Sequence, residues 1–495
     1  MKRKSGILLH PTSLPGAHGI GDLGAWAHRF VDFLAQSGQR LWQILPLGPP
    51  GYGNSPYQCT SSMAGNPLLI NLDQLVDEGW VDRSELDKSP EFSPERVDFD
   101  AVLPFKWGVL RKAAERFFGS ASENWRRQFD QFCRESAVWL DRFAEFAALK
   151  EANGGVDWTE WEKRSSPEVW AVQVQKFVQF QFFMQWRALK AHCRDCGIEI
   201  IGDIPIFVSH DSADVWANPG LFDLDDAGFP RTIAGVPPDY FSATGQCWGN
   251  PLYRWDAHGQ TGYRWWVERM RSTLEMVDIA RIDHFRGFEK YYEIPGGAKT
   301  AVVGRWVEGP GDRFFAALQN AFGKLPIIAE DLGYITPEVH ALRDRWGFPG
   351  MRVLQFAFGN ESPEDPFKPH NFVPNCVVYT GTHDNDTTRG WFLSAGAGES
   401  TRSTEQARAE REFALRYLGS DGREIHWDFI RAALASVAEK AIFPIQDALG
   451  LGTEARMNLP GTVADNWVWR FRAEQLTPEL SARLHSLSKT YGRLP

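Results

Sequence analysis

Short apolar runs that give way to polar or charged residues recur along the chain, and their spacing sets the expected fold. Residues 6–10 (G-I-L-L-H), closed by Pro11, read as a first buried strand. The same type of run returns at 40–47 (R-L-W-Q-I-L-P-L), 198–208 (I-E-I-I-G-D-I-P-I-F-V) and 279–288 (I-A-R-I-D-H-F-R-G-F). It returns again at 325–332 (L-P-I-I-A-E-D-L), 351–358 (M-R-V-L-Q-F-A-F) and 377–386 (V-V-Y-T-G-T-H-D-N-D). Near-continuous Val/Ile/Leu runs of this length mark strands covered on both faces, as in parallel sheets. A weaker run at 455–462 (A-R-M-N-L-P-G-T) completes a set of eight. Segments with apolar residues at helical spacing, such as 25–37, separate most of them. The expected class is α/β, a single (β/α)8 TIM barrel spanning 1–495 with large helical and loop insertions.

Two stretches exceed what a barrel crossover needs. Residues 75–191 have helical periodicity, clearest at 107–118 and 174–192, and read as a mostly helical inserted subdomain whose aromatic stripes form core. Residues 210–262 read as inserted substrate-binding loops, carrying G-V-P-P-D-Y-F (235–241) and G-Q-C-W-G-N-P-L-Y (245–253). Loops of that length without regular structure are usually functional.

Composition narrows the partners. A net charge of −10 argues against nucleic acid, whose phosphates are bound by basic patches. No run approaches the roughly 18–20 apolar residues of a spanning helix, and the basic start lacks the apolar stretch of a secretory signal, so a cytoplasmic protein is expected. The six cysteines read as reduced thiols. Cys193 and Cys196 form a C-x-x-C with no second pair to complete a tetrahedral zinc site, and read as a structural coincidence. The unusual feature is 21 Trp and 34 Phe, most of them core, some available as platforms for the C–H faces of sugar rings.

The chemistry gathers at strand ends. Asp283, Glu330 and Asp384 follow three of the expected strands, and in a barrel those C-terminal ends converge on one pocket. Cleavage at a glycosidic bond with retention needs an ionised carboxylate as nucleophile and a protonated carboxyl as acid and later base. Arg281, two residues before Asp283 and on the same strand face, is expected to hold Asp283 ionised by lowering its pKa, the alternative for this stretch alone being a structural Asp–Arg pair at a strand end. Like-charge neighbours are expected to keep Glu330 protonated, and Asp384 with His383 to bind sugar hydroxyls. A Mg²⁺ or Zn²⁺ site is the competing use of such a set, but Arg281 and Arg286 would repel a cation. The loop 48–57 (G-P-P-G-Y-G-N-S-P-Y) displays Tyr52, Ser55 and Tyr57, with Tyr57 either a stacking platform or a packing residue of the loop.

The motifs R-I-D-H-F-R-G, A-E-D-L-G and G-T-H-D-N-D-T resemble those of the amylomaltases, or 4-α-glucanotransferases, of the α-amylase clan. So do G-I-L-L-H-P-T-S-L-P-G (6–16), G-N-S-P-Y (53–57), I-G-D-I-P-I-F-V (201–208), P-P-D-Y-F (237–241), G-Q-C-W-G-N-P-L-Y (245–253), N-L-P-G-T (458–462) and N-W-V-W-R (466–470), along nearly the whole chain. The resemblance implies Asp283 as nucleophile, Glu330 as acid/base and Asp384 as transition-state stabiliser. It implies contacts to the glucosyl unit from Arg281 and His383, aromatic contacts from Tyr57 and Trp248, and polar contacts from Ser55, Asp203, Asp239, Gln246 and Asn458. It also implies no cofactor and no metal, with malto-oligosaccharides, amylose or other α-1,4-glucans as donors and glucose or glucans as acceptors. An α-glucan hydrolase of the same clan is the nearest alternative, and a glucan-binding protein with an inactive barrel is the alternative from another class.

Overall fold

The computed structural model of the chain describes residues 3–162, 166–238, 244–396 and 402–494. Among the described residues twelve strands run in chain order as β1 (Lys4–Leu8), β2 (Leu41–Gln43), β3 (Glu199–Pro205), β4 (Thr232–Val236), β5 (Gln246–Pro251) and β6 (Ile279–Asp283). They continue as β7 (Lys290–Pro295), β8 (Arg305–Glu308), β9 (Ile327–Ala329), β10 (Gly350–Val353), β11 (Cys376–Tyr379) and β12 (Lys440–Pro444).

Eight of these form one sheet in the order β10-β11-β12-β1-β2-β3-β6-β9, every pair parallel. The two ends meet where the Ala329 amide donates to the Pro349 carbonyl at 3.0 Å, which turns the sheet into a (β/α)8 barrel. Its strands read as apolar runs because both faces are covered: Ile7, Trp42, Ile200, Ile201, Ile282, Ile328, Val353, Val378 and Ile442 are all fully buried. Crossover helices Ala25–Gln36, Val169–Asp195, Arg264–Met276, Gly311–Phe322 and Pro337–Arg345 lie between successive barrel strands.

The two long insertions differ in kind. Between β2 and β3 the chain is helical, with Phe99–Ser120, Glu123–Glu135 and Ala137–Ala152 preceding Val169–Asp195. Phe117, Phe132, Phe177 and Phe180 pack against one another there and join the barrel in one contiguous core. The stretch 210–262, expected to lack regular structure, instead contributes β4 and β5 to a four-stranded antiparallel sheet, order β5-β4-β7-β8, with β7 and β8 supplied from beyond β6. β4 and β5 pair with each other inside the stretch, but β7 and β8, which complete the sheet, begin more than thirty residues after β5.

The eighth barrel strand is also misplaced by the sequence pattern. Residues 455–462 form no strand: Pro460 and Gly461 interrupt the run, and the segment is irregular after a 3-10 turn that ends at Ala455. The true eighth strand, β12, is K-A-I-F-P, only four residues after helix Ile425–Ala435, and its three apolar residues merge with the helical pattern before it. The expected strands at 279–288, 325–332, 351–358 and 377–386 all run past the observed ends; after β6 and β10 the apolar spacing continues into 3-10 turns at Phe285–Phe288 and Leu354–Phe358.

Close approach of β1 and β2 requires glycine at position 6. A Cβ there would lie 2.2 Å from the Leu41 carbonyl oxygen, inside backbone that cannot swing away. Gly6→Ala is expected to destabilise the fold by about 1–3 kcal/mol, read as a lower midpoint in thermal or urea unfolding. An unchanged midpoint would show that β1 and β2 can separate at no cost.

Candidate active site

The C-terminal ends of the barrel strands carry the ionisable cluster. Parallel register between β3 and β6 sets Asp203 beside Arg281 and Pro205 beside Asp283. The Arg281 guanidinium, 4% exposed, donates to Asp203 Oδ2 at 2.5 Å through Nη1 and pairs with Asp283 Oδ1 at 3.0 Å through Nη2. Its Nε faces the Met351 sulfur at 3.3 Å. One buried cation therefore holds two carboxylates on neighbouring strands in fixed places. Asp203 has no exposed side-chain surface and also accepts the Tyr57 hydroxyl at 2.8 Å, whereas a third of the Asp283 side chain faces the open mouth.

Glu330 follows β9 and is held by backbone. Its Oε1 accepts the Leu332 amide at 2.8 Å and its Oε2 the His284 amide at 2.7 Å. The second contact depends on a turn directly after Asp283, where His284 adopts the left-handed region at φ 51°. That conformation is uncommon for a residue with a Cβ and persists where surroundings enforce it. Here it points one amide from the end of β6 at the carboxyl from the end of β9.

Asp384 lies on the loop after β11. Its Oδ1 accepts the Asn458 side-chain amide at 2.7 Å, its Oδ2 lies 3.3 Å from His383 Nε2, and its carbonyl accepts Arg456 at 2.7 Å. The loop 455–462 is thus tied to the site although it is not a strand. Tyr57 stacks on His383 with ring centroids 5.0 Å apart and planes 17° apart, and Ser55 Oγ accepts the Tyr57 amide at 3.2 Å. From the small sheet, β5 brings Trp248 edge-on to His284 at 4.8 Å, with its indole N–H donating to Gln246 at 3.1 Å.

The carboxylates respond to this crowding. Asp283 is pushed up to about 6, chiefly by burial, with Asp203 and Asp384 adding to it and Arg281 opposing. The expectation that Arg281 would lower it overall is corrected: one guanidinium shared with Asp203 does not outweigh burial plus two further carboxylates. Glu330 is pushed higher, to about 8, by burial first and then by Asp283, against the pull of Arg281 and of its two backbone donors. At neutral pH one member of the pair is ionised and the other protonated, the division of labour that acid–nucleophile chemistry requires.

The structure thus gathers Tyr57, Ser55, Asp203, Arg281, Asp283, Glu330, His383, Asp384 and Asn458 around one mouth, with Gln246 and Trp248 reaching it from β5. Asp239 lies outside the described residues. Sequence reasoning missed the His284 amide, Arg456 and Trp467, whose ring lies 5.9 Å from Tyr57 and 6.0 Å from His383. It also cast Arg286 as a charge near the site. Arg286 lies over the Trp306 ring at 3.8 Å and donates to the Tyr334 carbonyl.

Removing one side of the buried cluster tests its geometry. Asp203→Ala strands Arg281 with a single partner and is expected to cost about 3–5 kcal/mol of stability, visible as a depressed melting temperature. A variant that melts with the wild type would contradict a buried, paired Asp203.

Comparison with known proteins agrees with the geometry. A family model described as 4-alpha-glucanotransferase matches residues 9–477. The chain is 50% identical over 508 residues to a 4-alpha-glucanotransferase of Synechocystis sp., covering 99% of this chain and 98% of the relative. A 4-alpha-glucanotransferase of Thermus thermophilus is 48% identical with 100% of both chains covered. Among solved structures, the amylomaltase from Streptococcus agalactiae in complex with acarbose superposes with a TM-score of 0.93 at 40% identity, over 100% of both chains.

Proposed function

The chain belongs to the 4-α-glucanotransferase family, and on that premise we propose how its own residues divide the reaction between them. The reaction moves a segment of 1,4-α-D-glucan to the 4-hydroxyl of an acceptor by double displacement with retention. Asp283 is the nucleophile. Arg281 occupies its Oδ1, which leaves Oδ2 to attack the anomeric carbon. Glu330 is the acid that protonates the departing oxygen and, once ionised, the base that takes the proton of the incoming 4-hydroxyl. Asp384, oriented by Asn458 and His383, accepts hydrogen bonds from sugar hydroxyls that strengthen as positive charge develops on the ring.

Asp203 acts through Arg281 and Tyr57 as a positioning residue. Trp248 and Tyr57 offer aromatic faces to sugar rings, with Gln246 and Ser55 as polar neighbours, and Asp239 belongs to the same loop region by resemblance. Malto-oligosaccharides, amylose and other α-1,4-glucans serve as donors, and glucose or shorter glucans as acceptors. The helical insertion at 75–191 and the loops of 210–262 are the parts that favour an acceptor sugar over water. A cytoplasmic setting goes with the reduced-thiol reading of the six cysteines. No helix among the described residues is long and apolar enough to cross a membrane.

The observation that carries the reading is the split between Asp283 and Glu330, two interacting carboxyls of unequal acidity at adjacent strand ends. Maltotriose alone is expected to yield glucose and a ladder of longer maltodextrins. Shorter sugars only, with rising reducing ends, would contradict transfer. Glu330→Gln is expected to lower transfer by about 10²–10⁴-fold, and wild-type activity in that variant would remove Glu330 from the role of acid.

The pH dependence follows from the same pair. Below about pH 6 Asp283 gains a proton and ceases to be a nucleophile; above about pH 8 Glu330 loses its proton and ceases to be an acid. A plot of kcat/KM against pH should therefore be a bell with limbs near those values, each belonging to the coupled pair. Asp203→Asn removes a negative neighbour that raises Asp283, so its acidic limb should move to lower pH. A limb that stays in place or moves up would contradict the positioning role of Asp203.

A further inference from the structure

Away from the barrel mouth, two crossover helices bring metal-ligating side chains face to face. His28 and Asp32 are four residues apart on helix Ala25–Gln36 and so share one face. His192 and Cys196 are four apart at the end of helix Val169–Asp195, where the Cys196 amide still donates to the His192 carbonyl at 3.0 Å. The helices pack against each other, and the two faces meet. His192 Nε2 lies 2.8 Å from Asp32 Oδ1 and 3.8 Å from Cys196 Sγ, and the three ligand atoms lie within 4.8 Å of one another. The His28 ring lies beside them, 5.0 Å from that of His192 between centroids.

We propose that Asp32, His192 and Cys196 form a site for one divalent transition-metal ion, zinc by ligand type, that ties the first crossover helix to the one before β3. Nitrogen, thiolate and carboxylate are the donors zinc takes, at about 2.0–2.3 Å each. Tetrahedral angles at those bond lengths require ligand atoms about 3.3–3.7 Å apart. The nitrogen–sulfur distance is already of that size, and the nitrogen–oxygen distance must open by about half an ångström, within the reach of a carboxylate on a half-exposed side chain.

One imidazole nitrogen faces both a carboxylate oxygen and a sulfur, and a single proton on it serves only one of them. A cation between the three satisfies all at once. Binding would move the imidazole proton to Nδ1 and release the thiol proton to solvent, leaving a thiolate on the metal. The fourth position falls to water, with His28 at its side. Partial exposure of all four residues leaves a path for the ion. The C-x-x-C spacing plays no part in this: Cys193 is fully buried, and the third ligand, Asp32, comes from a different helix.

The test uses chelator-stripped, untagged, full-length protein titrated with Co²⁺ and then Zn²⁺. One equivalent of Co²⁺ should bind with a near-ultraviolet thiolate-to-metal band and the visible bands of a tetrahedral ion, and Zn²⁺ should displace it and raise the melting temperature. Cys196→Ser should abolish the near-ultraviolet band. His192→Ala should weaken binding by about 100-fold or more and remove the melting shift, while glucan transfer by the metal-free variants stays at the wild-type level. Absence of the thiolate band in the wild-type protein, its persistence in Cys196→Ser, or an equal melting shift in His192→Ala would each overturn the site.

Discussion

A single buried guanidinium organises the catalytic end of the barrel. Arg281 is withdrawn from solvent, and a charge so placed is tolerated only when paired and hydrogen-bonded. Its planar fork reaches two carboxylates at once, Asp203 on the neighbouring strand and Asp283 on its own, which an ammonium could not do in one fixed geometry. Parallel register of β3 and β6 is what brings Asp203 opposite Arg281, so fold and site are set by the same hydrogen-bond ladder. From Asp203 the order passes through the Tyr57 hydroxyl to the loop after β2, and from the Tyr57 ring to His383 beside Asp384.

That arrangement leaves an excess of negative charge on purpose-built ground. One cation serves Asp203 and Asp283, with Glu330 near enough to interact with both Arg281 and Asp283. Burial then pushes Asp283 and Glu330 up together, and the more enclosed Glu330 goes further. A guanidinium strong enough to depress both groups would have produced two ionised carboxylates and no acid. Burial, with the Asp283 carboxylate beside it, is what keeps a proton on Glu330 at neutral pH against the pull of Arg281.

Much of this was legible in the sequence because barrel strands in a parallel sheet are short apolar runs and the chemistry sits where each run ends. Asp283, Glu330 and Asp384 stood out for that reason, and Arg281 stood out by strand alternation. What the pattern concealed was long-range. β12 escaped because three apolar residues after a helix look like more helix. The antiparallel sheet escaped because β4 pairs with β7, across β6. The sign of the shift at Asp283 escaped because burial, which the strand pattern does not show, outweighs Arg281, with the distant carboxylates Asp203 and Asp384 adding to it. The role of the 455–462 loop was legible only through Asn458; its backbone was misread, and the tie to Asp384 replaced the strand that was expected there.

The most direct test of the account is to identify which carboxylate carries the glycosyl group. Glu330→Gln treated with α-maltosyl fluoride, whose leaving group needs no proton, should form the covalent intermediate and stall before release. Trypsin cuts after Arg281 and Arg286, giving the peptide 282–286 (I-D-H-F-R), in which Asp283 is the sole carboxylate side chain. The account predicts a mass increase of one maltosyl unit on that peptide. The same increase on the peptide that holds Asp384, or fluoride release with no adduct on residues 282–286, would contradict it.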